Sequence, residues 1–343
     1  MSTSVAIQRS PDWIVEISDF VASVSWTKEG RSLAVAGSSG PVGHRAAGDG
    51  ALLETWAGHE GGTFRATFGP VGSTLLSVGQ DGHVRFWEPG HILPQAEVKV
   101  PASWVEQAVW APDGASAAIA AGKQVMTLRP DGTVLHRLSP LPSTVSGIVW
   151  RADGRELAAS AYGRIQIWDA ISGQPKEPLL WKTSLISISW SPDQRWIVAG
   201  TQEQSVQIWE IPFRPGNELA MSGYPGKVRH LVWHHSSRYL ATDGGPEIMV
   251  WDCGGRGPAG STPRILEGHQ ARVSALAYPK AGHILASGSE DGLVLLWNAG
   301  KSTSPLCQIR MPDGITCLDW SPDGQTLAMG CRSGAVGVVK PGI

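Results

Sequence analysis

The chain has 343 residues, of which 42% are hydrophobic and only 17% are charged, and it contains 42 glycines and 16 tryptophans. Its 28 basic and 30 acidic side chains give a net charge of −2, which excludes a general attraction to nucleic acid or to an anionic membrane. The length suffices for a large hydrophobic core without metal or disulfide support. This composition is typical of many short strands that are buried on both faces and joined by tight turns.

The segment Met1–Trp13 lacks the apolar stretch of a signal peptide. No apolar run approaches the roughly 20 residues that are needed to span a bilayer. The cysteines show neither CxxC spacing nor a nearby cluster of metal ligands, which indicates buried thiols in a reducing compartment; they are Cys253, Cys307, Cys317 and Cys331. We therefore expect a cytoplasmic protein that binds no cofactor, no nucleic acid and no membrane.

After a short predicted strand at 13–17, a repeat of roughly forty residues runs through the chain. Each repeat begins with an alternating apolar run that ends on an aromatic residue. Most of these runs are followed by a turn of the Ser-Pro-Asp-Gly type, which is intact at Ser321–Gly324, and the pattern predicts strand, turn and strand. The aromatic positions are Trp26, Phe68, Trp110, Trp150, Trp190, Trp233, Tyr278 and Trp320.

The second half of each repeat predicts two further strands. The third strand ends on a second tryptophan series, which is Trp87, Trp168, Trp209, Trp251 and Trp297. A more variable fourth strand then leads into the next repeat, sometimes through Gly-His, as at 58–59 and 268–269. Four strands with Gly-His at one end and Trp-Asp at the other resemble the WD repeat over nearly the whole chain. The resemblance implies an all-β, closed β-propeller.

The number of strands predicts how the propeller closes. Eight first strands are followed by only seven fourth strands, so we expect residues 13–17 to complete the last blade, because an open ring leaves an unpaired sheet edge. This gives eight four-stranded blades in one monomeric domain over 1–343. Seven blades is the alternative, because the first repeat is poorly formed. Repeats 1, 3 and 8 lack the third-strand tryptophan and carry Arg45, Leu128 and Val339 there.

Two sets of residues look like catalytic triads but occur in register with the repeat. A hydrogen-bonded chain from Trp to Ser, His and Asp satisfies the buried polar groups of a blade, whereas a catalytic triad has no reason to recur at the same repeat position. We therefore expect structural tetrads and a protein that is not an enzyme. The tetrads are His59, Ser77, Asp81 and Trp87, and His269, Ser287, Asp291 and Trp297.

The pair His234–His235 follows the sixth first strand. Adjacent side chains on an extended chain point to opposite sides, so we expect no bidentate metal binding by this pair, and no metal site in the chain.

One face of the propeller carries the candidate partner site. In WD-repeat propellers, the family resemblance implies contacts at the loops before the first strands and at the turns between the second and third strands. A basic group from three consecutive repeats and an aromatic pair from the other side have the composition of a binding hot spot. The basic group is Lys227, Arg229, Arg272 and Arg332, the aromatic pair is Phe64 and Trp104, and Glu106, Gln80, Gln202 and Glu290 occupy further positions on this face.

These features predict a protein-interaction scaffold with an acidic or phosphorylated protein partner. A small-ligand or anion binder that uses the central opening is the alternative, and a propeller enzyme is disfavoured because no cluster of acids and histidines converges on one face. The segments MSGYPGKVR (221–229) and VWDCGGRG (250–257) also resemble a group of bacterial single-propeller WD-repeat proteins. That resemblance implies a metal-chaperone-type GTPase as a partner.

Overall fold

The regular structure of the chain is entirely β-strand. A computed structural model describes residues 6–102, 104–255 and 257–343, and within them the strands form seven hydrogen-bonded sheets. The described residues contain no helix, and so none that is long and apolar enough to cross a membrane.

Two short strands, β1 (Ile7–Arg9) and β2 (Trp13–Glu16), precede three sheets that each hold four antiparallel strands in chain order. The first sheet is β3 (Val21–Trp26), β4 (Ser32–Gly37), β5 (Val42–Ala46) and β6 (Leu52–Trp56). The second is β7 (Thr63–Phe68), β8 (Leu75–Gly79), β9 (His83–Trp87) and β10 (Ala96–Lys99). The third is β11 (Gln107–Trp110), β12 (Ala117–Ala121), β13 (Gln124–Leu128) and β14 (Val134–Arg137).

The next sheet has six strands because two of its strands are long. It consists of β15 (Gly147–Trp150), β16 (Glu156–Asp169), β17 (Leu179–Trp190), β18 (Trp196–Thr201), β19 (Val206–Glu210) and β20 (Leu219–Met221). The first part of β16 pairs with β15 and its second part with β17, while the second part of β17 pairs with β18. Two sequence repeats are thereby joined in one hydrogen-bonded sheet.

Three sheets complete the chain. They contain β21 (Leu231–Trp233), β22 (Tyr239–Thr242), β23 (Ile248–Asp252) and β24 (Arg264–Leu266); β25 (Val273–Ala277), β26 (Leu285–Ser289), β27 (Leu293–Trp297) and β28 (Cys307–Arg310); and β29 (Ile315–Trp320), β30 (Leu327–Cys331) and β31 (Ala335–Val339). The early strands return here, because β2 pairs antiparallel with β31 as its outer neighbour. Strand β1 pairs parallel with β28, an arrangement that the sequence pattern did not predict.

The first strands of the repeats surround a common centre. In chain order β3, β7, β11, β15, β17, β21, β25 and β29 each contact the next, and β29 contacts β3. The ring is therefore closed, and the prediction of an all-β propeller is confirmed. The hydrophobic core lies between neighbouring sheets, as where Trp56 of the first sheet packs with Phe68 and Trp87 of the second.

The tryptophans that end the first strands also link neighbouring repeats through hydrogen bonds. The indole N–H of Trp110 donates to the carbonyl of Thr67 (2.9 Å), and that of Trp26 donates to the carbonyl of Asp319 (3.0 Å). Trp150 and Trp320 bond in the same way to the preceding repeat. A tryptophan at this position therefore buries apolar area and also satisfies a carbonyl near the central axis.

Candidate functional site

A complete hydrogen-bonded chain crosses the sheet β7–β10. Trp87 Nε1 donates to Ser77 Oγ (2.8 Å), Ser77 Oγ lies 2.8 Å from His59 Nε2, and His59 Nδ1 lies 2.8 Å from Asp81 Oδ1. Arg85 donates to the other carboxylate oxygen of Asp81 (2.6 Å). Burial lowers the pKa of His59. Burial alone would raise the pKa of Asp81, but hydrogen bonds from His59 and Arg85 hold that pKa well below its usual range.

The second set, in the sheet β25–β28, connects only three of its four residues. Ser287 Oγ lies 2.7 Å from His269 Nε2 and accepts from Trp297 Nε1 (2.8 Å). The expected bond between His269 and Asp291 is not formed, because Asp291 accepts from the Ser289 hydroxyl instead (2.6 Å). Among the described residues the buried His269 Nδ1 has no hydrogen-bond partner, and burial lowers the pKa of His269 to about 4.

The sheet β21–β24 contains a related hydrogen-bonded chain that the sequence pattern did not predict. Trp251 Nε1 donates to the Tyr224 hydroxyl (2.8 Å), which lies 2.9 Å from Thr242 Oγ1. Tyrosine and threonine thus stand where the other sheets have histidine and serine. Burial raises the pKa of Tyr224 to about 12, so the hydroxyl stays neutral. Strand register would have revealed the match, because Thr242 lies two residues beyond the partner of Trp251, as Ser77 does for Trp87.

The predicted partner-site positions lie on what we call the loop face, formed by the loops before the first strands and the turns between second and third strands. Backbone hydrogen bonds of 2.9–3.0 Å join each turn to its neighbouring loop. They run from Gln80 to Gly62, from Gln202 to Ser184, from Glu290 to Arg272, and from Arg332 to Gly314. These hydrogen bonds fix the backbone from which the exposed side chains of this face project.

Four cations on the loop face form a basic arc, which we define as Lys227, Arg229, Arg272 and Arg332. Their sheets are consecutive, since β21 contacts β25 and β25 contacts β29. Arg272 Nη2 donates to the backbone carbonyl of Lys227 (3.4 Å), and Arg332 Nη2 lies 3.3 Å from a carboxylate oxygen of Glu290. Arg229 and Arg332 are exposed, whereas Lys227 and Arg272 are half-buried. The arc is continuous, with one of its charges partly neutralised by Glu290.

A buried carboxylate fixes the loop that carries Arg229. The backbone N–H groups of Arg229 and His230 donate to Asp243 Oδ1 (2.8 and 2.9 Å), and His230 Nδ1 lies 2.8 Å from Asp243 Oδ2. Charge-assisted hydrogen bonds of this kind are among the stronger ones in proteins. The Arg229 backbone is therefore held in place while its side chain faces solvent.

The aromatic pair lies on the other side of the loop face. Phe64 of β7 and Trp104 of the loop before β11 meet edge to face, with ring centroids 6.3 Å apart. Trp104 is 54% exposed, which is unusual for so large an apolar side chain. Glu106, two residues further on, is also exposed. The pair joins two neighbouring sheets and presents indole surface to solvent.

The central channel contains two opposite charges that sequence reasoning missed. Arg65 of β7 and Asp319 of β29 line a cavity of about 280 Å³ together with Ser23 and Cys317. Desolvation within the channel raises the pKa of Asp319 to about 6. The sequence did contain a signal for these residues, because each is a charged residue within the alternating apolar pattern of a first strand. A charged pair on the channel wall gives the opening a polar lining.

Three histidines meet on the opposite face, which we call the turn face because it carries the turns between first and second strands. His234 and His235 follow β21, and His283 precedes β26. His234 Nε2 lies 2.8 Å from His283 Nδ1, and the rings of His234 and His235 are 4.2 Å apart. The expectation that the adjacent pair points to opposite sides is wrong. The pair lies in a tight turn, closed by a bond from Ser237 N to the His234 carbonyl (2.8 Å), and not on an extended strand.

Comparison with known families and proteins identifies the repeat. The family model "WD domain, G-beta repeat" matches residues 50–88, 181–210, 260–298 and 304–338. The chain is 28% identical over 183 residues to the "B-type cell cycle switch protein ccs52A" of Medicago truncatula, covering 51% of this chain and 37% of that protein. It is 28% identical over 153 residues to "Cell division cycle 20.1, cofactor of APC complex" of Arabidopsis thaliana, covering 43% and 32%. The chain therefore spans about a third of the length of these relatives.

Two further comparisons cover more of the chain. "Telomerase protein component 1" of Rattus norvegicus is 25% identical over 288 residues, which is 78% of this chain and 10% of that protein. Among solved structures, the computationally designed Ika8 protein superposes with a TM-score of 0.83 at 18% identity. That match covers 97% of this chain and 100% of the designed protein, and at this identity it shows the fold alone.

Proposed function

We propose that this chain, which belongs to the WD-repeat β-propellers, is a non-catalytic scaffold that binds another protein on its loop face. The observation that carries the proposal is the composition of that face: the basic arc on one side, and on the other the Phe64–Trp104 pair with its exposed indole. Aromatic and arginine side chains supply most of the binding energy in protein interfaces.

An acidic or phosphorylated partner fits the basic arc best. Arginine grips carboxylates and phosphates through two parallel hydrogen bonds, and Arg229 combines an exposed side chain with a fixed backbone. Neighbouring cations also add their fields over a short span and raise the association rate of an anionic partner.

The relatives support a role as a partner-binding protein. One of them is named "Cell division cycle 20.1, cofactor of APC complex", and the proposal extends the role of a cofactor, as partner binding, to this chain. A metal-chaperone-type GTPase remains the partner that the resemblance of residues 221–229 and 250–257 suggests. A cytoplasmic location is part of the proposal and is supported by four cysteines without disulfide bonds.

We infer eight blades in one domain. Eight first strands contact one another around the ring, and the six-stranded sheet divides into two four-stranded units where β16 and β17 change partners. The register shift near Tyr162 coincides with the change of partner on β16. Strand β2 beside β31 supplies the fourth strand of the last unit.

Charge reversal on the loop face tests the scaffold proposal. A partner captured from native extract with the wild-type protein is titrated against the double variant Arg229→Glu, Arg272→Glu at low and high salt. We expect affinity to fall at least tenfold, about 1.4 kcal/mol, mostly through the association rate, and wild-type binding to weaken with salt. Melting should change little, because Arg229 is exposed and Arg272, although half-buried, donates only a long hydrogen bond to the Lys227 carbonyl (3.4 Å).

The matched control reverses two exposed arginines on the turn face, Arg31→Glu and Arg155→Glu, and so produces the same change in net charge. This control should retain wild-type affinity. Equal affinities for all three proteins would contradict a role for the basic arc. Substitution of Phe64 and Trp104 by alanine would then locate the site, and binding there should be largely insensitive to salt.

The alternative, an anion or small ligand in the central opening, is favoured by one specific observation. Arg65 supplies a cationic side chain to the wall of the channel cavity, which Asp319 also lines. Titration with inorganic phosphate against wild type and Arg65→Gln separates the two functions. Saturable binding that is lost in Arg65→Gln, with partner binding unchanged, would support the channel.

A further inference from the structure

We propose that His234, His235 and His283 form a binding site for a divalent transition metal ion on the turn face. The three side chains each direct a ring nitrogen to one place, and these nitrogens all lie within 4.8 Å of one another. The site is independent of the scaffold function, because the basic arc and the aromatic pair lie on the opposite face.

The donor set determines the class of metal. Three imidazole nitrogens and no carboxylate suit Zn²⁺, Co²⁺, Ni²⁺ and Cu²⁺, whereas Mg²⁺ and Ca²⁺ prefer oxygen ligands. Zinc binds histidine nitrogen at about 2.0–2.1 Å, which places tetrahedral ligand atoms about 3.4 Å apart. The 2.8 Å between His234 Nε2 and His283 Nδ1 therefore has to open slightly. His235 and His283 are exposed and have room to make this adjustment.

The buried histidine is already oriented for coordination. His234 Nδ1 lies 2.7 Å from Ser236 Oγ, so the opposite nitrogen, Nε2, faces the other two histidines. Metal-bound histidines usually donate their second N–H to a neighbouring acceptor, which fixes the ring. With a metal on Nε2, the Nδ1 proton is donated to the Ser236 hydroxyl, and the longer contact from Ser236 N to Nδ1 (3.2 Å) is given up.

The frame around the cluster holds its members in place. His234 packs edge to face against Tyr278 (5.4 Å between centroids) and Tyr239 (6.0 Å), and its ring plane lies within 10° of that of His283. The ligands come from turns of two neighbouring sheets, so a bound ion ties those sheets together. Three protein ligands leave a fourth position for water or for a donor from another molecule.

Metal titration of the purified, chelator-treated full-length protein tests the site. We expect Zn²⁺ to bind with a stoichiometry of one in calorimetry and to raise the melting temperature, because a ligand specific for the folded state stabilises it. Co²⁺ should give the visible absorption of a low-coordinate, histidine-bound ion. Mg²⁺ at the same concentration should change neither signal.

Single substitutions assign the ligands. His235→Ala and His283→Ala remove exposed side chains and should each weaken Zn²⁺ binding at least tenfold and abolish the Co²⁺ spectrum. His91→Ala, which removes an exposed histidine far from the cluster in sequence, is the matched control and should bind as the wild type does. Melting in the absence of metal shows that all three variants fold. Equal Zn²⁺ affinity in wild type, His235→Ala and His283→Ala, or an equal loss in His91→Ala, would overturn the proposal.

Discussion

The sheets β7–β10 and β25–β28 carry the same four residue types at the same spacing, yet only the first connects all of them. In that sheet the chain runs from Trp87 to Asp81 and is extended by Arg85. In the other it stops at His269, whose buried Nδ1 has no hydrogen-bond partner within the part of the chain that the structure describes. The spacing of a motif therefore locates the candidate residues, but the residues beside the motif decide whether the hydrogen bonds form.

Two neighbouring positions explain the difference. Counted back from the third-strand tryptophan, Arg85 corresponds to Leu295, and Gly79 corresponds to Ser289. Arg85 donates to the carboxylate of Asp81 beside His59, whereas the cation near Asp291 is Arg310, which donates to the Asp291 backbone carbonyl (2.9 Å) and lies 3.7 Å from its carboxylate. A Cβ on Gly79 would approach His59 Cβ to 2.5 Å, so glycine is required there. Ser289 instead supplies a hydroxyl that draws its aspartate away.

Removal of the histidine should therefore be costlier in the complete chain. His59→Ala removes one of the hydrogen-bond donors to the half-buried Asp81 carboxylate and leaves a cavity, and we expect a loss of about 4 kcal/mol. His269→Ala removes a ring with one unsatisfied nitrogen and should cost about 2 kcal/mol. Melting temperature and urea midpoint of both variants measure the difference. Equal losses would show that Asp81 contributes nothing to the chain.

Acid should destabilise the protein mainly through the incomplete hydrogen-bonded chain, which ends at His269. The pKa of His269 is about 4 in the folded protein and 6.5 when exposed, so the unfolded state takes up a proton first as the pH falls. Stability from neutral His269 is present above pH 6.5 and is lost towards pH 4, on the order of 2–3 kcal/mol. The stability gap between wild type and His269→Ala should therefore shrink as the pH is lowered from 7 to 4.

The stability difference between wild type and His59→Ala should change less over the same pH range, because the charge of Asp81 opposes the effect of burial on the pKa of His59. Urea unfolding of wild type and both variants at several pH values gives the two gaps separately. Parallel curves for the two sites would contradict the distinction.

The smallest expected effect comes from substitutions that give the sheet β25–β28 the residues found at the corresponding positions of β7–β10. Ser289→Gly removes the competing hydroxyl, and Leu295→Arg places a cation at the position that corresponds to Arg85. Together they should let Asp291 reach His269 and add up to about 1 kcal/mol. Ser289→Gly alone is the control and should gain less. A stability decrease in the double variant, with His269 still titrating near pH 4, would mean that buried Leu295 packing outweighs the new bonds.

Sequence periodicity predicted the repeat, the closed propeller and the residues of the tetrads, because alternation and aromatic spacing are set by burial on both faces of each sheet. The features that it missed depend on geometry that spacing does not contain. The histidine cluster forms because the backbone turns tightly at His234–Ser237 and because the turn that carries His283 lies beside it. Residue spacing predicts neither fact. The hydrogen-bonded chain of Tyr224 can be recognised only when the register of β22 and β23 is known. The parallel pairing of β1 with β28 joins segments that no local sequence pattern relates.

The pairing of β2 with β31 dictates a sequence of events during protein synthesis. The Asp12 carboxylate accepts a hydrogen bond from the backbone of Lys340, 328 positions away, so the ribosome makes one half of this clasp long before the other. Until β31 emerges, β2 has no strand to pair with, and the growing ring keeps an open edge. Contacts this distant in sequence form slowly. Closure of the ring therefore has to wait until β31 has been synthesised, and we expect a nascent chain to be most prone to exchanging strands with another copy during that interval.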